Sequence, residues 1–304
     1  MSISPEQLRS ALEGVIGFPV TPFHTDLSVD FPALRTNLRA MFRQPLAAVV
    51  AAGGTGELYS LSPPEHVQVV RTVVEEAAGR IPVIAGTGFN MAIGVSLARQ
   101  AAECGAAGIL AFPPYYPAPE DDGLVAYYSA IGAATPLGLL IYSRDWFHPG
   151  AALVERLAAI PTLIAWKDGQ GDMRRLQIIR RQLGSRLHWI GGAGDDLVPA
   201  YYALGIRAFT SSIANVSPEI AVQLHLAGSA GDVSTLARLM SDYVVPLYAL
   251  RARRKGYEVT VMKELMNMLG LTGGCVRPPL VPLRAEELEE VRALTPRWQK
   301  AVAV

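Results

Sequence analysis

One stretch decides the predicted fold: residues 162–172, which read TLIAWKDGQGD. Its apolar first part lies between Pro161 and Gly169, and it is typical of a strand that is buried on both faces, as parallel strands in α/β proteins are. Lys167 then lies at the carboxyl end of that strand. The chain has many arginines, yet Lys167 is its only lysine before Lys255.

A lysine at this position has two interpretations. Burial penalises the ammonium form, so it lowers the pKa of the side chain and raises the fraction of free amine that can attack a carbonyl carbon. Lys167 is therefore a candidate nucleophile that forms a Schiff base with a keto substrate. The alternative is an ordinary ion pair with Asp168 or Asp172 at the end of the strand.

Length and composition restrict the kind of protein. The 304 residues suit one α/β barrel of roughly 250 residues with an addition, or two smaller domains. Half of the residues are apolar and the formal net charge is zero, whereas proteins that bind nucleic acid usually carry a basic excess. The amino terminus lacks the regions of a signal peptide, and no apolar run is long enough to span a bilayer. We therefore expect a cytoplasmic protein that binds neither nucleic acid nor membrane.

The cysteines and histidines give no sign of a metal site. Cys104 and Cys275 are far apart and lack the spacing of a zinc site or a disulfide framework, which favours a reducing compartment. None of the five histidines forms a pair at metal-binding spacing. We therefore expect no metal.

Eight apolar segments alternate with helical patterns through the first three quarters of the chain. The predicted strands are 14–20, 46–52, 82–85, 108–112, 137–142, 163–167, 187–190 and 206–210. This alternation predicts a (β/α)8 TIM barrel. The alternative is a doubly wound open sheet, but the fingerprint G-x-G-x-x-G is missing after the first strand.

No strand is predicted after residue 229. Three helical segments follow, at about 231–254, 257–269 and 285–301. We therefore divide the chain into a barrel that carries the active site, residues 1–229, and a C-terminal helical appendage, residues 230–304. The residues before the first strand are predicted to form only a short polar opening.

In such a barrel, the active site forms at the carboxyl ends of the strands and in the loops that follow them. After the second strand, the glycine-rich turn Gly53 to Gly56 leaves backbone N–H groups and the Thr55 hydroxyl free for a carboxylate, unless it is simply a turn. The segment Gly191 to Asp196 resembles a phosphate cradle, but its two aspartates would repel phosphate. We prefer a helix cap there.

Two residues at the end of the fifth strand are further candidates. Tyr142 could move protons to and from a substrate, or it could pack against the core with its hydroxyl in water. Arg144 could hold a second carboxylate through two hydrogen bonds, or it could pair with Asp145 on the surface.

Several motifs follow one another along the chain: Phe18-Pro19-Val20-Thr21-Pro22-Phe23, Gly53-Gly54-Thr55-Gly56-Glu57, Pro114-Tyr115-Tyr116, Ile141-Tyr142, Trp166-Lys167-Asp168 and Gly194-Asp195-Asp196. In this order they resemble the dihydrodipicolinate synthase and N-acetylneuraminate lyase superfamily of Schiff-base aldolases, over nearly the whole chain. The resemblance implies that Lys167 is the Schiff-base lysine and that Tyr142 transfers protons. It also implies that Gly54-Thr55-Gly56 binds the carboxylate next to the substrate's ketone. No cofactor is then expected beyond the covalent Schiff base on Lys167.

Within that superfamily, the loops depart from dihydrodipicolinate synthase. Gly54 stands where that enzyme has a proton-relaying threonine, and Phe147 stands where it has an arginine. The variants present, among them Val276-Arg277-Pro278-Pro279-Leu280, resemble the 5-dehydro-4-deoxyglucarate dehydratases instead. This implies that a keto-dicarboxylate is dehydrated and decarboxylated to 2,5-dioxopentanoate.

The same resemblance bears on the far end of the substrate and on assembly. Ser143 and Arg144 are expected to recognise the end that leaves as carbon dioxide. Tyr116 lies where the synthase receives a tyrosine from a neighbouring subunit, which makes it a candidate intersubunit residue. A homotetramer is expected.

Two other functions stay open. A keto-acid aldolase or synthase of the same superfamily would form or use pyruvate, and it would release no carbon dioxide. A catalytically silent barrel would bind a keto acid without turnover, and it could keep its affinity when Lys167 is replaced by alanine.

Overall fold

The computed structural model describes residues 3–115 and 119–302. Its central element is a closed sheet of eight parallel strands. The strands are β1 (Gly14–Gly17), β2 (Ala48–Ala51), β3 (Val83–Phe89), β4 (Gly108–Pro114), β5 (Gly138–Ser143), β6 (Leu163–Asp168), β7 (His188–Gly191) and β8 (Ala208–Ser211). Each strand pairs with the next one along the chain, and β8 closes on β1. The predicted (β/α)8 barrel is therefore confirmed, and the doubly wound open sheet is wrong.

Helices connect the strands and cover the outside of the barrel. The helices of the described part are α1 (Pro5–Ala11), α2 (Phe31–Met41), α3 (Pro63–Ala77), α4 (Met91–Glu103), α5 (Asp121–Ala133), α6 (Ala151–Leu157), α7 (Met173–Leu183), α8 (Val198–Ala203), α9 (Pro218–Ala230), α10 (Val233–Leu239), α11 (Val245–Arg251), α12 (Tyr257–Met268) and α13 (Ala285–Val302). Within the described ranges, none of these helices is long and apolar enough to cross a membrane.

Helix α1 precedes the barrel, so the prediction of only a polar opening there is wrong. Ser4 and Gln7 form a capping box, a start signal that the sequence does carry. Leu8 is fully buried, and a Cβ on Gly138 would lie 3.2 Å from its Cδ2 atom. Because Gly138 is the first residue of β5, α1 closes the amino-terminal end of the barrel.

Alternate strand residues fill the inside of the barrel, and the others pack against the helices. The inner cluster includes Leu8, Leu12, Ile16, Phe18, Ala48, Val50, Ile84, Leu110, Leu140, Tyr142, Ile164 and Ile190. Tyr142 is the register partner of Lys167 across β5 and β6. Residues paired in register point to the same face of a sheet, so the lysine also points into the barrel, at the carboxyl ends of its strands.

The chain after β8 is helical, as predicted. Helix α9 ends at Ala230, so the predicted boundary after residue 229 falls at a helix end. The division into 1–229 and 230–304 stays a prediction. A π-helical turn, Met240–Val244, joins α10 to α11. Pro246, which has no N–H to donate, lies in the first turn of α11, and an interrupted hydrogen-bond ladder is expected beside it.

Candidate active site

Lys167 ends β6 inside the barrel and is only 3% exposed. Its Nζ donates a hydrogen bond to the carbonyl oxygen of Gly192 at 2.9 Å and lies 3.2 Å from the centre of the Tyr142 ring. Burial, and after it the positive charge of Arg144, hold the pKa of Lys167 well below its usual value, while the charge of Asp168 opposes the shift. The side chain therefore favours the free amine, the form that attacks carbonyl carbons.

The alternative interpretation, an ion pair between Lys167 and a nearby aspartate, is wrong. The Oδ2 atom of Asp168 accepts a hydrogen bond from the Tyr201 hydroxyl at 2.8 Å, and its carboxylate also accepts from two N–H groups of the following turn, each at 3.2 Å. Asp172 caps the start of α7. Lys167 forms no ion pair with any carboxylate of residues 3–115 and 119–302.

Two glycines let the loops approach the side chains of Lys167 and Tyr142 closely. A Cβ on Gly192 would overlap the side chain of Lys167, and a Cβ on Gly169 would overlap the ring of Tyr142. Any larger residue at either position would have to displace a side chain of the site. The glycine-rich segments after β6 and β7 are therefore required by packing around the lysine.

The predicted helix cap in the segment Gly191 to Asp196 is wrong. Helix α8 begins only at Val198, and no side chain caps it. Asp195 is fully buried instead, and its Oδ2 atom accepts a hydrogen bond from the hydroxyl of Tyr248 on α11 at 2.7 Å. A partner distant in sequence thus replaces the local capping interaction.

Tyr142 lies beside Lys167 at the end of β5 and is 2% exposed. Its hydroxyl oxygen accepts a hydrogen bond from Nη1 of Arg144 at 2.9 Å, which leaves the hydroxyl proton available for another acceptor. Burial raises the pKa of Tyr142, although the charge of Arg144 reduces this shift. A protonated phenol next to a reactive amine can give protons to a bound substrate and take them back.

The turn after β2 offers backbone N–H groups to a ligand. The N–H groups of Gly54, Thr55 and Gly56 donate to no residue in the part of the chain that the structure describes. The shape of the turn is maintained from both sides, since the Thr21 hydroxyl donates to the Gly56 carbonyl at 2.7 Å and the Glu57 N–H donates to the Gly54 carbonyl at 3.1 Å. Successive N–H groups on such a turn suit a carboxylate.

Two aromatic rings connect this turn to the lysine and the tyrosine. Phe112 packs edge-on against the Tyr142 ring, with 5.3 Å between the ring centres, and a Cβ on Gly54 would lie 3.9 Å from it. Phe18 contacts the first glycine of the turn, and its ring centre lies 5.3 Å from Nζ of Lys167. The turn, the amine and the phenol therefore surround one region.

A buried ion pair holds the end of the turn after β2. Oε1 of Glu57 lies 2.5 Å from Nζ of Lys263, and the two side chains are 0% and 1% exposed. Nζ of Lys263 also donates to the carbonyl of Cys275 at 2.7 Å, and the Arg277 N–H donates to Glu57 at 3.4 Å. Burial raises the pKa of Glu57 and lowers that of Lys263, and the partner's charge opposes each shift.

Arg144 lies at the rim of the site, where it has several partners. Besides its hydrogen bond to Tyr142, its Nη2 atom lies 3.2 Å from Oε1 of Glu258 and its Nε atom lies 3.7 Å from Oδ1 of Asp145. The pairing with Asp145 that the sequence suggested is therefore present, together with a second one. Both interpretations of Arg144, binding of a substrate carboxylate and pairing with Asp145, stay possible, because an arginine at the rim can exchange exposed partners for a ligand.

Two other predicted residues have different positions. The Ser143 hydroxyl is buried and donates to the backbone carbonyl of Lys167 at 3.3 Å, so in this structure it contacts the β6 backbone. Tyr116 lies outside the described residues.

Neither a metal cluster nor a disulfide occurs among the residues with described positions. No group of three or more His, Cys, Asp or Glu side chains there could hold a metal ion. Cys104 and Cys275 are both free.

The sequence analysis missed the contribution of α12 to the site. Glu258 and Lys263 both lie on this helix, in the segment assigned to the appendage. One signal for Lys263 was available: this lysine is one of only four in the chain, and it directly follows Val261 and Met262, with Leu265 and Met266 close behind. No comparable signal marks Glu258.

A buried amine and a buried phenol at the carboxyl ends of the strands of such a barrel are typical of an enzyme's active site. The model of the Dihydrodipicolinate synthetase family matches residues 11–297, and the chain belongs to this family. The predicted family is thereby confirmed, and with it the assignment of the protein as a lyase-type enzyme.

Curated relatives match the chain over almost its full length. A protein of Bradyrhizobium diazoefficiens named "Probable 5-dehydro-4-deoxyglucarate dehydratase" is 38% identical over 296 residues, which cover 96% of this chain and 94% of the relative. A protein of Rhodococcus opacus with the same name is 39% identical over 298 residues, which cover 97% of this chain and 98% of the relative.

Solved structures match equally far. Dihydrodipicolinate synthase from Bacillus clausii has a TM-score of 0.91 and 29% identity, over 96% of this chain and 99% of that chain. The same enzyme from Oceanobacillus iheyensis has a TM-score of 0.92 and 28% identity, over 98% of this chain and 100% of that chain. The similarity therefore includes the C-terminal helices as well as the barrel.

Proposed function

We propose that the protein is a decarboxylating dehydratase, which converts 5-dehydro-4-deoxy-D-glucarate into 2,5-dioxopentanoate, carbon dioxide and water through a Schiff base on Lys167. The observation that carries this proposal is the buried amine of Lys167 next to the Tyr142 hydroxyl, with the turn after β2 beside them. The names of the curated relatives support the choice of substrate. The departures from dihydrodipicolinate synthase at Gly54 and Phe147 support a reaction other than that synthase's.

Binding begins with the carboxylate next to the ketone. The N–H groups of Gly54, Thr55 and Gly56 hold this carboxylate, so that the ketone carbon faces Nζ of Lys167. The amine attacks the ketone carbon, the ketone oxygen leaves as water, and an iminium forms. Tyr142 gives and takes the protons that these steps move.

The iminium then drives both eliminations. It acidifies the adjacent methylene, whose proton leaves to give an enamine. The enamine expels the neighbouring hydroxyl, which takes up a proton and leaves as water. The bond to the distal carboxylate breaks next, carbon dioxide leaves, and its electron pair passes through the conjugated double bonds to the iminium nitrogen. Reprotonation and hydrolysis, which consumes one water, release the product and the lysine.

The distal carboxylate is assigned to the rim of the site. Arg144 supplies the positive charge there. Ser143 stays a proposed contact of the same end, although its hydroxyl donates to the Lys167 carbonyl in the free protein. No metal or organic cofactor takes part in this scheme.

Borohydride trapping tests the proposal. The protein is incubated with a panel of keto acids, reduced, and analysed by intact mass and peptide mapping, while carbon dioxide is measured in parallel. An adduct on Lys167 with 5-dehydro-4-deoxyglucarate, together with carbon dioxide, is expected. Lys167→Ala should give no adduct, while Lys255→Ala, at an exposed position, should react like the unsubstituted protein.

Two other outcomes would change the assignment. Trapping of pyruvate alone, with no carbon dioxide from any dicarboxylate, would favour an aldolase or synthase of the family. An adduct on another residue, or none, would refute the Schiff base on Lys167.

The homotetramer and the cytoplasmic location belong to the same proposal. The free state of Cys104 and Cys275 supports a reducing compartment. Light scattering on the purified protein is expected to give four times the mass of the chain, and a monomeric mass would contradict the tetramer.

A further inference from the structure

One carboxylate at the rim has no role in the proposed reaction. Glu258, on α12, lies with Oε1 3.2 Å from Nη2 of Arg144, and the two side chains are 39% and 38% exposed. Asp145 takes Nε at 3.7 Å, and Nη1 donates to Tyr142 at 2.9 Å. In the free enzyme, every nitrogen of the Arg144 guanidinium therefore already faces a partner.

The distal carboxylate of the proposed substrate has to enter this arrangement. Four carbon–carbon bonds, about 5 Å in extended form at roughly 1.5 Å per bond, separate its carbon from the ketone carbon. Lys167 and Arg144 both lie near the Tyr142 ring, with Nζ 3.2 Å and the guanidinium carbon 6.0 Å from its centre. A substrate of this length, bound covalently to Lys167, is thus long enough for its distal carboxylate to contact the guanidinium with which Glu258 is paired.

Tight binding of that carboxylate would oppose its loss. An arginine stabilises the anion in the bound substrate, but this stabilisation disappears as the anion becomes neutral carbon dioxide. Interactions that are stronger in the ground state than in the transition state slow the chemical step. A second carboxylate on the same guanidinium weakens the grip on the substrate and adds a repulsion that is relieved when carbon dioxide leaves.

We infer that Glu258 is a positioning residue, which shares Arg144 with the distal carboxylate of a keto-dicarboxylate and so keeps the leaving group weakly held. This inference rests on the proposed function. It assigns to a residue of α12 an influence on how tightly the distal carboxylate is bound. Glu258 is only partly buried at the rim, and Arg144 is its one ion-pair partner within the described ranges. The role is therefore separable from folding.

The variant Glu258→Gln removes the charge and keeps the shape. Glu264→Gln is the matched control, because Glu264 lies on the same helix and forms no ion pair with the rest of the described chain. Carbon dioxide release is measured against the concentration of 5-dehydro-4-deoxyglucarate, and adducts are trapped with borohydride. Pyruvate, a keto acid without a distal carboxylate, serves as the internal reference for Schiff-base formation.

We expect Glu258→Gln to lower KM and kcat together, each by about two- to five-fold. This is the fold-change that corresponds to the free energy of an exposed ion pair. Removal of a ground-state repulsion produces this joint decrease, whereas a merely structural residue would lower kcat without tightening binding. The trapped adduct should shift in mass towards the form that retains the distal carboxylate. Trapping with pyruvate, and all constants of Glu264→Gln, should stay as in the unsubstituted enzyme.

Several results would overturn the inference. KM that rises or stays constant in Glu258→Gln, or the same change in Glu264→Gln, would show that Glu258 does not compete for Arg144. An equal effect on pyruvate trapping would show that it acts on the lysine instead. If the unsubstituted enzyme releases no carbon dioxide, the proposed function fails and this inference fails with it; normal release without the joint decrease refutes the inference alone.

Discussion

The reactivity proposed for Lys167 depends on its burial without an ion-pair partner. Its side chain is buried among Phe18, Tyr142 and the carbonyl of Gly192, while the adjacent carboxylate of Asp168 is turned towards Tyr201. A buried amine without a counter-charge is costly for folding. The low pKa of Lys167 is therefore obtained at the cost of folding stability.

Replacement of Lys167 by methionine is expected to stabilise the protein at neutral pH while it abolishes adduct formation. Burial keeps the pKa of Lys167 in the folded state below its usual value. Between the two pKa values the unfolded state binds more protons, so the stability of the unsubstituted protein rises with pH across this window. The advantage of Lys167→Met should therefore shrink as the pH approaches about 10.4, the pKa of an ordinary lysine.

Urea unfolding at neutral pH and near pH ~10 measures this effect. Lys255→Met, at an exposed lysine, is the control and should show no such pH dependence. A stability difference between Lys167→Met and the unsubstituted protein that is equal at both pH values would contradict the expectation.

Tyr142→Phe should lower kcat for carbon dioxide release by about 10²- to 10⁴-fold, the usual contribution of a general acid or base. Lys167 should still be trapped with pyruvate, because the aromatic ring beside its amine remains. Tyr202→Phe is a suitable control, since the Tyr202 hydroxyl contacts His225 at 2.6 Å, outside the site. Complete loss of trapping in Tyr142→Phe would instead assign the tyrosine to the placement of the amine.

Among the structural elements, α12 and the turn after β2 depend on each other. Glu57, at the end of the turn, has a φ of 55°, a left-handed conformation that is unfavourable for residues other than glycine. Its buried pairing with Lys263 holds it there. The helix thus determines the shape of the turn that is proposed to bind the substrate.

Lys263→Met is expected to destabilise the protein by about 3–5 kcal/mol, because it leaves the buried charge of Glu57 unpaired. The double variant Glu57→Gln, Lys263→Met removes both charges and should recover part of this loss. Denaturant unfolding of both single variants and the double variant gives the coupling. Strict additivity of the two single effects would show that the pair does not interact.

The sequence predicted those elements whose signals are local. The apolar run before Lys167, ended by Gly169, defined β6 and its lysine without any knowledge of partners. The cap predicted near Asp195 failed because Tyr248, 53 residues further along, binds that carboxylate instead. Lys263 was missed for the same reason, since its partner Glu57 is more than 200 residues away. Contacts between distant segments leave little trace in a single sequence.

On the scale of the whole molecule, the two ends of the barrel have separate tasks. Leu8 of helix α1 and Leu12, which directly follows this helix, seal the amino-terminal end, and the site with Lys167 occupies the carboxyl ends of the strands. Stability and chemistry are usually divided in this way in barrels of this kind. Mutations at the sealed end should therefore affect folding alone.

Leu8→Ala tests this separation. Loss of a fully buried leucine should cost about 2–5 kcal/mol of unfolding free energy, while kcat per folded molecule should stay unchanged. Leu226→Ala, at a side chain that is 58% exposed, should alter neither quantity. If kcat of Leu8→Ala is lower than that of the unsubstituted protein at temperatures where the variant is fully folded, the two ends of the barrel are coupled.

The turn after β2 is supported by three residues that come late in the chain, Lys263, Cys275 and Arg277. This order has a consequence for biosynthesis. Translation proceeds from the amino terminus, and chain segments begin to fold in that order. A ribosome that has just completed the eight strands carries a chain that already contains Lys167, but the turn that is proposed to bind the substrate still lacks these supports. If Lys167 forms the proposed Schiff base, we expect the growing polypeptide to bind keto acids covalently only after residues 263–277 have been made, so that shorter chains are spared modification at this lysine.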